Sequence, residues 1–131
     1  MRRARQALLV ALLAGLSLWS QALDRDRLLE VAAGRSAKAL AGARALVQML
    51  EKAQAQALDE EGRLAAVNDF FNRRIQFRDD QEVWGAVDYW ASPLEILEKG
   101  RGDCEDYAIA KMSLLAALGF RPEQLQFIVL K

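Results

Sequence analysis

The chain has 131 residues, 53% of them hydrophobic, with 18 basic and 18 acidic side chains and no histidine. That length fits one domain, and the apolar content is ample for a core, which excludes a disordered chain. The balanced charge excludes a strongly basic nucleic-acid-binding surface, and a single cysteine without histidine excludes a zinc site.

Arg2, Arg3 and Arg5 precede an apolar stretch from Ala7 to Trp19, and Ser20-Gln21-Ala22 puts small residues where a signal peptidase needs them. The pattern predicts a signal peptide over residues 1–22, cut after Ala22. The stretch is short for a bilayer span, and an uncleaved N-terminal anchor is the rival reading. Cleavage removes three arginines and leaves 15 basic against 18 acidic residues, a net charge of −3. That sign argues against a nucleic acid or an anionic membrane as partner. Export permits disulfides, but Cys104 is the only cysteine, so no intrachain bridge can form and a free thiol is expected.

From Asp24 to about Ala57 apolar residues recur at threes and fours (Leu28, Val31 or Ala32, Ala39, Ala43, Leu46, Leu50), which predicts helix, with Gly34 and Gly42 as possible breaks. Asp59-Glu60-Glu61 offers carboxylates to the start of a second helix. Its apolar side is Leu64, Val67, Phe70, Phe71 and Ile75, and it ends near Arg73-Arg74. Ile75 and Phe77 alternate with polar residues as in an extended segment, and Asp79-Asp80 opens a loop carrying Trp84, Gly85, Tyr89 and Trp90. So many aromatics predict an ordered, packed loop.

Ser92-Pro93-Leu94-Glu95 has the cap, the first-turn proline and the returning glutamate of a helix start, and Gly100 stops that helix early. Gly100-Arg101-Gly102 reads as a flexible turn. Asp103 then caps a helix from Cys104 to about Leu118, apolar almost all round after its first turn and therefore expected to be buried on most sides. Gln126 to Leu130 reads as a core strand.

Cys104 is the candidate nucleophile. A helix N-terminus supplies partial positive charge and free amides, which favour a thiolate. The flanking Asp103, Glu105 and Asp106 would repel a thiolate unless neutralised, and a bound Ca²⁺, which prefers several oxygen ligands, would do so. Two blander readings stand beside these. Cys104 can be a small buried apolar residue, and the three acids can simply cap the helix and complement its dipole. The run is not an EF-hand loop.

The blocks Val67-Asn68-Asp69-Phe70-Phe71-Asn72, Trp84 to Glu95 and Gly102-Asp103-Cys104-Glu105-Asp106-Tyr107-Ala108-Ile109-Ala110-Lys111 together resemble the bacterial transglutaminase-like cysteine proteinases, most closely their periplasmic LapG-type members. The resemblance covers roughly residues 64–131. It implies an α+β, papain-like or transglutaminase-like core, present here as the helical part and the first core strand. It implies Cys104 as nucleophile of a Cys-His-Asp triad, and calcium held by Asp103 and Glu105, with Asp106 in the same motif. It further implies a periplasmic endopeptidase that cleaves large surface adhesins near their N-termini and promotes biofilm release, sequestered by an inner-membrane cyclic-di-GMP receptor. In that family the histidine and aspartate follow the strand at Phe127–Leu130. Residues 23–131 therefore read as an incomplete proteinase domain, inactive alone and exposing apolar surface, or as a non-catalytic relative that binds the receptor or calcium. Met112 stands where the family more often has an aromatic.

Overall fold

The computed structural model describes residues 25–128 and residue 130. The expected signal peptide lies outside the described residues. The first helix, α1, runs over residues 25–35, and α2 follows as Ala37–Ala55. The break falls at Ser36 rather than at a glycine. Its hydroxyl accepts from the Ala39 amide (3.1 Å) and starts a new helix, while Gly42 stays inside α2. Asp59 does the same for α3, Glu60–Arg74, by accepting from the Gly62 amide at 2.8 Å.

After α3 the chain extends into β1, Gln76–Phe77, then makes a short helix α4, Asp80–Trp84, where the sequence predicts loop. The aromatic segment that follows is ordered, with the Trp84 and Tyr89 rings 4.4 Å apart. Ser92 and Glu95 form the expected capping box at the start of α5, Pro93–Lys99, which ends at Gly100 with φ of 66°. The expected flexible turn is instead a strand, β2, Arg101–Gly102, parallel to β1 in the register Gln76↔Arg101 and Phe77↔Gly102. The Gln76 and Arg78 amides donate to the Gly100 and Gly102 carbonyls, each at 2.9 Å. This ladder satisfies backbone groups that a mobile turn would leave to water. Next come α6, Cys104–Ala117, and a 3₁₀ turn, Pro122–Gln124.

The architecture is α+β: a helical assembly with one small parallel sheet. Helix α2 lies on α5 and α3, and α6 lies on α3 and α5. The core is Leu46 and Leu50 from α2, Val67, Phe70 and Phe71 from α3, Ile96 from α5, and Ala110, Leu114 and Leu115 from α6. Phe71, Ile96 and Val67 are the largest fully buried apolar side chains. Each contributes about 1.5–3 kcal/mol by leaving water. A smaller cluster of Ala32, Ala39, Ala43 and Leu94 fixes α1 and α5 against α2.

Two expectations are corrected. Helix α6 is buried on one face rather than most sides: Ile109 and Met112 are half-buried and Ala116 and Ala117 are exposed. Among the described residues only α3, α5 and β2 pack closely against it, and they cover that one face. The strand expected at Gln126–Leu130 does not form among the described residues, and Ile128 and Leu130 are exposed. A strand is held by its neighbour's ladder, and the only sheet among the described residues joins β1 to β2. Among the described residues no helix is long and apolar enough to cross a membrane.

Candidate active site

Three elements meet at the start of α6. Asp103 is its N-cap, accepting from the Asp106 amide at 3.2 Å, and Asp106 returns the bond by accepting from the Asp103 amide at 3.1 Å. This reciprocal box satisfies two groups that a helix end otherwise leaves unpaired. Asp106 is fully buried and reaches further: its Oδ1 accepts from the Ala91 amide at 2.9 Å. One carboxylate thus joins the cysteine helix to the segment that leads into α5. Gly102 makes room for it. A Cβ there would stand 3.0 Å from Asp106 Cβ and 3.2 Å from its Oδ2, so close that Asp106 would have to give way by a few tenths of an ångström.

Cys104 occupies the first position of α6 and is exposed. The reading as a buried apolar residue is therefore excluded. Beside it lies an open groove of about 520 Å³, lined by Asn72, Phe77, Cys104, Tyr107, Ala108 and Lys111. Tyr107 is fixed in its wall by donating to the Ile75 carbonyl. The exposure and the groove give the sulfur access, and the helix N-terminus supplies partial positive charge that works against the surrounding carboxylates.

The acidic residues do not all converge. Carboxylate oxygens of Asp80, Asp103 and Asp106 lie within 4.8 Å of one another. Glu105 stands outside that group. The third member is Asp80, the first residue of α4, which sequence reasoning placed only as the opening of a loop. Asp80 is buried at 5% exposure. Its Oδ2 accepts from the Tyr89 amide, while its Oδ1 has no hydrogen-bond partner among the described residues. Burial pushes the Asp103 carboxyl up to about 7, and the nearby charges of Asp106 and Asp80 act in the same direction against the lowering effect of the Asp106 amide. Crowded acids with an orphaned buried oxygen suit a hard divalent cation, which takes oxygen ligands and removes the repulsion.

A family model of the bacterial transglutaminase-like cysteine proteinases matches residues 43–131. The chain belongs to that family. Among curated proteins none matches it. In this family member the paired blocks of the sequence become neighbours in space: the aromatic segment delivers Ala91 and Tyr89 to Asp106 and Asp80, and α6 delivers Cys104. Sequence reasoning missed Asp80, Asn72 and Phe77 as parts of the site. Asp80 carried one usable signal, a carboxylate just ahead of the aromatic block, but its distance along the chain from Cys104 hides the convergence.

Proposed function

We propose that the protein acts as a calcium-dependent cysteine endopeptidase of the periplasm, cleaving large surface adhesins near their N-termini and so promoting biofilm release. The observation that carries this reading is the exposed Cys104 at the head of α6, opening onto a groove along that helix. The Cys104 thiol gives its proton to a base, the sulfur adds to the scissile carbonyl, the C–N bond breaks as the same base returns the proton to the leaving amine, and water hydrolyses the resulting thioester. Backbone amides at the start of α6 offer donors for the charge that develops on the carbonyl oxygen. The sequence contains no histidine, so in this reading the proton acceptor comes from outside these residues. Asp80, Asp103 and Asp106 would hold the calcium ion, with Glu105 at its edge; the ion supplies positive charge that quiets the carboxylates around the thiolate.

The test is cleavage of a recombinant adhesin N-terminal region by the product of the full reading frame containing this sequence, with calcium and with chelator. Cys104→Ala is expected to abolish cleavage while leaving the fold intact, because the residue is exposed. Undiminished cleavage by that variant refutes the nucleophile, and cleavage unchanged by chelator refutes the calcium dependence. The missing histidine also favours a second reading: a non-catalytic relative that binds a cyclic-di-GMP-responsive membrane receptor or calcium. Receptor binding with no cleavage of any adhesin selects it.

A further inference from the structure

Lys111 sits two turns beyond Cys104 on α6 and lines the same groove. Its ammonium is held, not free. Nζ donates to Asn68 Oδ1 at 2.7 Å and to Asn72 Oδ1 at 2.8 Å, both presented by α3, and lies 5.3 Å from the Tyr107 ring centroid. Both acceptors are neutral, and among the described residues no carboxylate pairs with this lysine. Desolvation holds its pKa below the usual lysine range. An ammonium has three donors, so the two asparagines leave one unused. A partly desolvated charge, fixed in direction by neutral partners and lacking a counter-ion, is arranged to receive an anion.

The groove between the two residues is apolar, with Phe77, Tyr107 and Ala108 along its walls. It suits an extended peptide lying along the helix. Seven helical residues rise about 10.5 Å, which an extended chain covers in about three residues. Helical side chains lean toward the N-terminus, which shortens the span slightly.

We propose, building on the endopeptidase reading, that Lys111 is a specificity-determining residue that binds an acidic side chain of the peptide substrate two or three residues from the scissile bond. The asparagines position it. Asn72 also faces the groove, so its amide is available as a second donor to the same carboxylate.

The experiment uses fluorescein-labelled alanine–serine decapeptides in which glutamate or glutamine is moved along the chain, with binding to the Cys104→Ala protein read by fluorescence anisotropy. A preference for glutamate of about fivefold at one or two neighbouring positions, shrinking with added salt, is expected. Lys111→Met removes that preference, Lys111→Arg keeps it, and Lys111→Glu reverses it toward a lysine-bearing peptide. The arginine and glutamate variants guard against misreading a fold defect in the methionine variant. Equal binding of glutamate and glutamine peptides at every position, a preference that survives Lys111→Met, or no binding of any peptide overturns the inference. Adhesin cleavage by the full reading frame is scored separately. Cleavage without an acidic preference sinks this inference alone, and a Lys111-dependent preference without cleavage sinks the endopeptidase reading alone.

Discussion

Replacing Asp80 by asparagine separates the two things this residue does. Its Oδ2 accepts the Tyr89 amide, a bond that the asparagine carbonyl can keep, whereas its Oδ1 has no partner among the described residues. The substitution therefore preserves the local structure and removes one charge from a group of three within 4.8 Å. At that separation a carboxylate pair repels by about 1 kcal/mol in water and by about 3 kcal/mol at an effective dielectric of 20. Without calcium, Asp80→Asn is thus expected to be more stable than the parent by about 1–3 kcal/mol. Calcium at a hundredfold excess over its dissociation constant stabilises the parent by about 2.7 kcal/mol, or about 10 °C in a domain of this size. Losing a direct charged ligand weakens binding by at least the ten- to hundredfold seen for outer partners of a metal site. At a hundredfold the same calcium concentration stabilises the variant by only about 0.4 kcal/mol. Thermal unfolding followed by circular dichroism, with calcium and with chelator, measures both effects. The variant should melt higher in chelator and respond little to calcium. An undiminished calcium shift in Asp80→Asn, or a variant less stable in chelator than the parent, refutes the placement of the ion among these aspartates.

Three further substitutions test the framework around the site. Gly102→Ala places a methyl 3.0 Å from Asp106 Cβ and should cost about 1–3 kcal/mol as an overpacked position, read by urea denaturation; calorimetry should show weakened calcium binding too, since Asp106 must move. Phe71→Ala empties the largest fully buried site and should cost about 3–5 kcal/mol, a loss that a melting curve detects directly. Glu98 accepts from both Arg35 and Ser36, and these partners hold its carboxyl below the usual glutamate range. Its contribution is present at neutral pH, above the unfolded value, and is lost as pH falls through the lowered folded value. Glu98→Gln should therefore melt below the parent at pH 7, and the gap should close in acid; a gap independent of pH would show that the charge is irrelevant there.

The sequence was a good guide wherever a local rule decides. The capping box at Ser92, the cap at Asp103 and the stop at Gly100 depend on residues within a few positions of each other, and each forms as read, while Asp59 closes the start of α3 as its N-cap and Asp106 turns the Asp103 cap into a reciprocal box. Cys104 at the head of its helix is of the same kind. What escaped is what non-local pairing decides. Arg101 and Gly102 are strand only because Gln76 and Phe77 arrive beside them, and a Gly-Arg-Gly run by itself reads as a turn. Asp80 enters the acidic group through the path of the aromatic segment, whereas the adjacent Glu105, inside the motif, is left out. The apolar run Gln126–Leu130 has strand composition and no ladder among the described residues. Composition sets a preference, and a neighbour is needed to realise it.

The ladder between Gln76 and Arg101 closes a loop of about 25 residues through only a couple of rungs, at an entropic cost on the order of 3 kcal/mol. Its last rung ends on the Gly102 carbonyl, one residue before the cap of the cysteine helix. The placement of Cys104 is therefore coupled to a long-range closure as well as to formation of the helix itself. Protection of the Arg78 amide against hydrogen–deuterium exchange becomes a kinetic clock for that event: a chain could show native helicity while this one amide still exchanges freely, its sulfur not yet aimed.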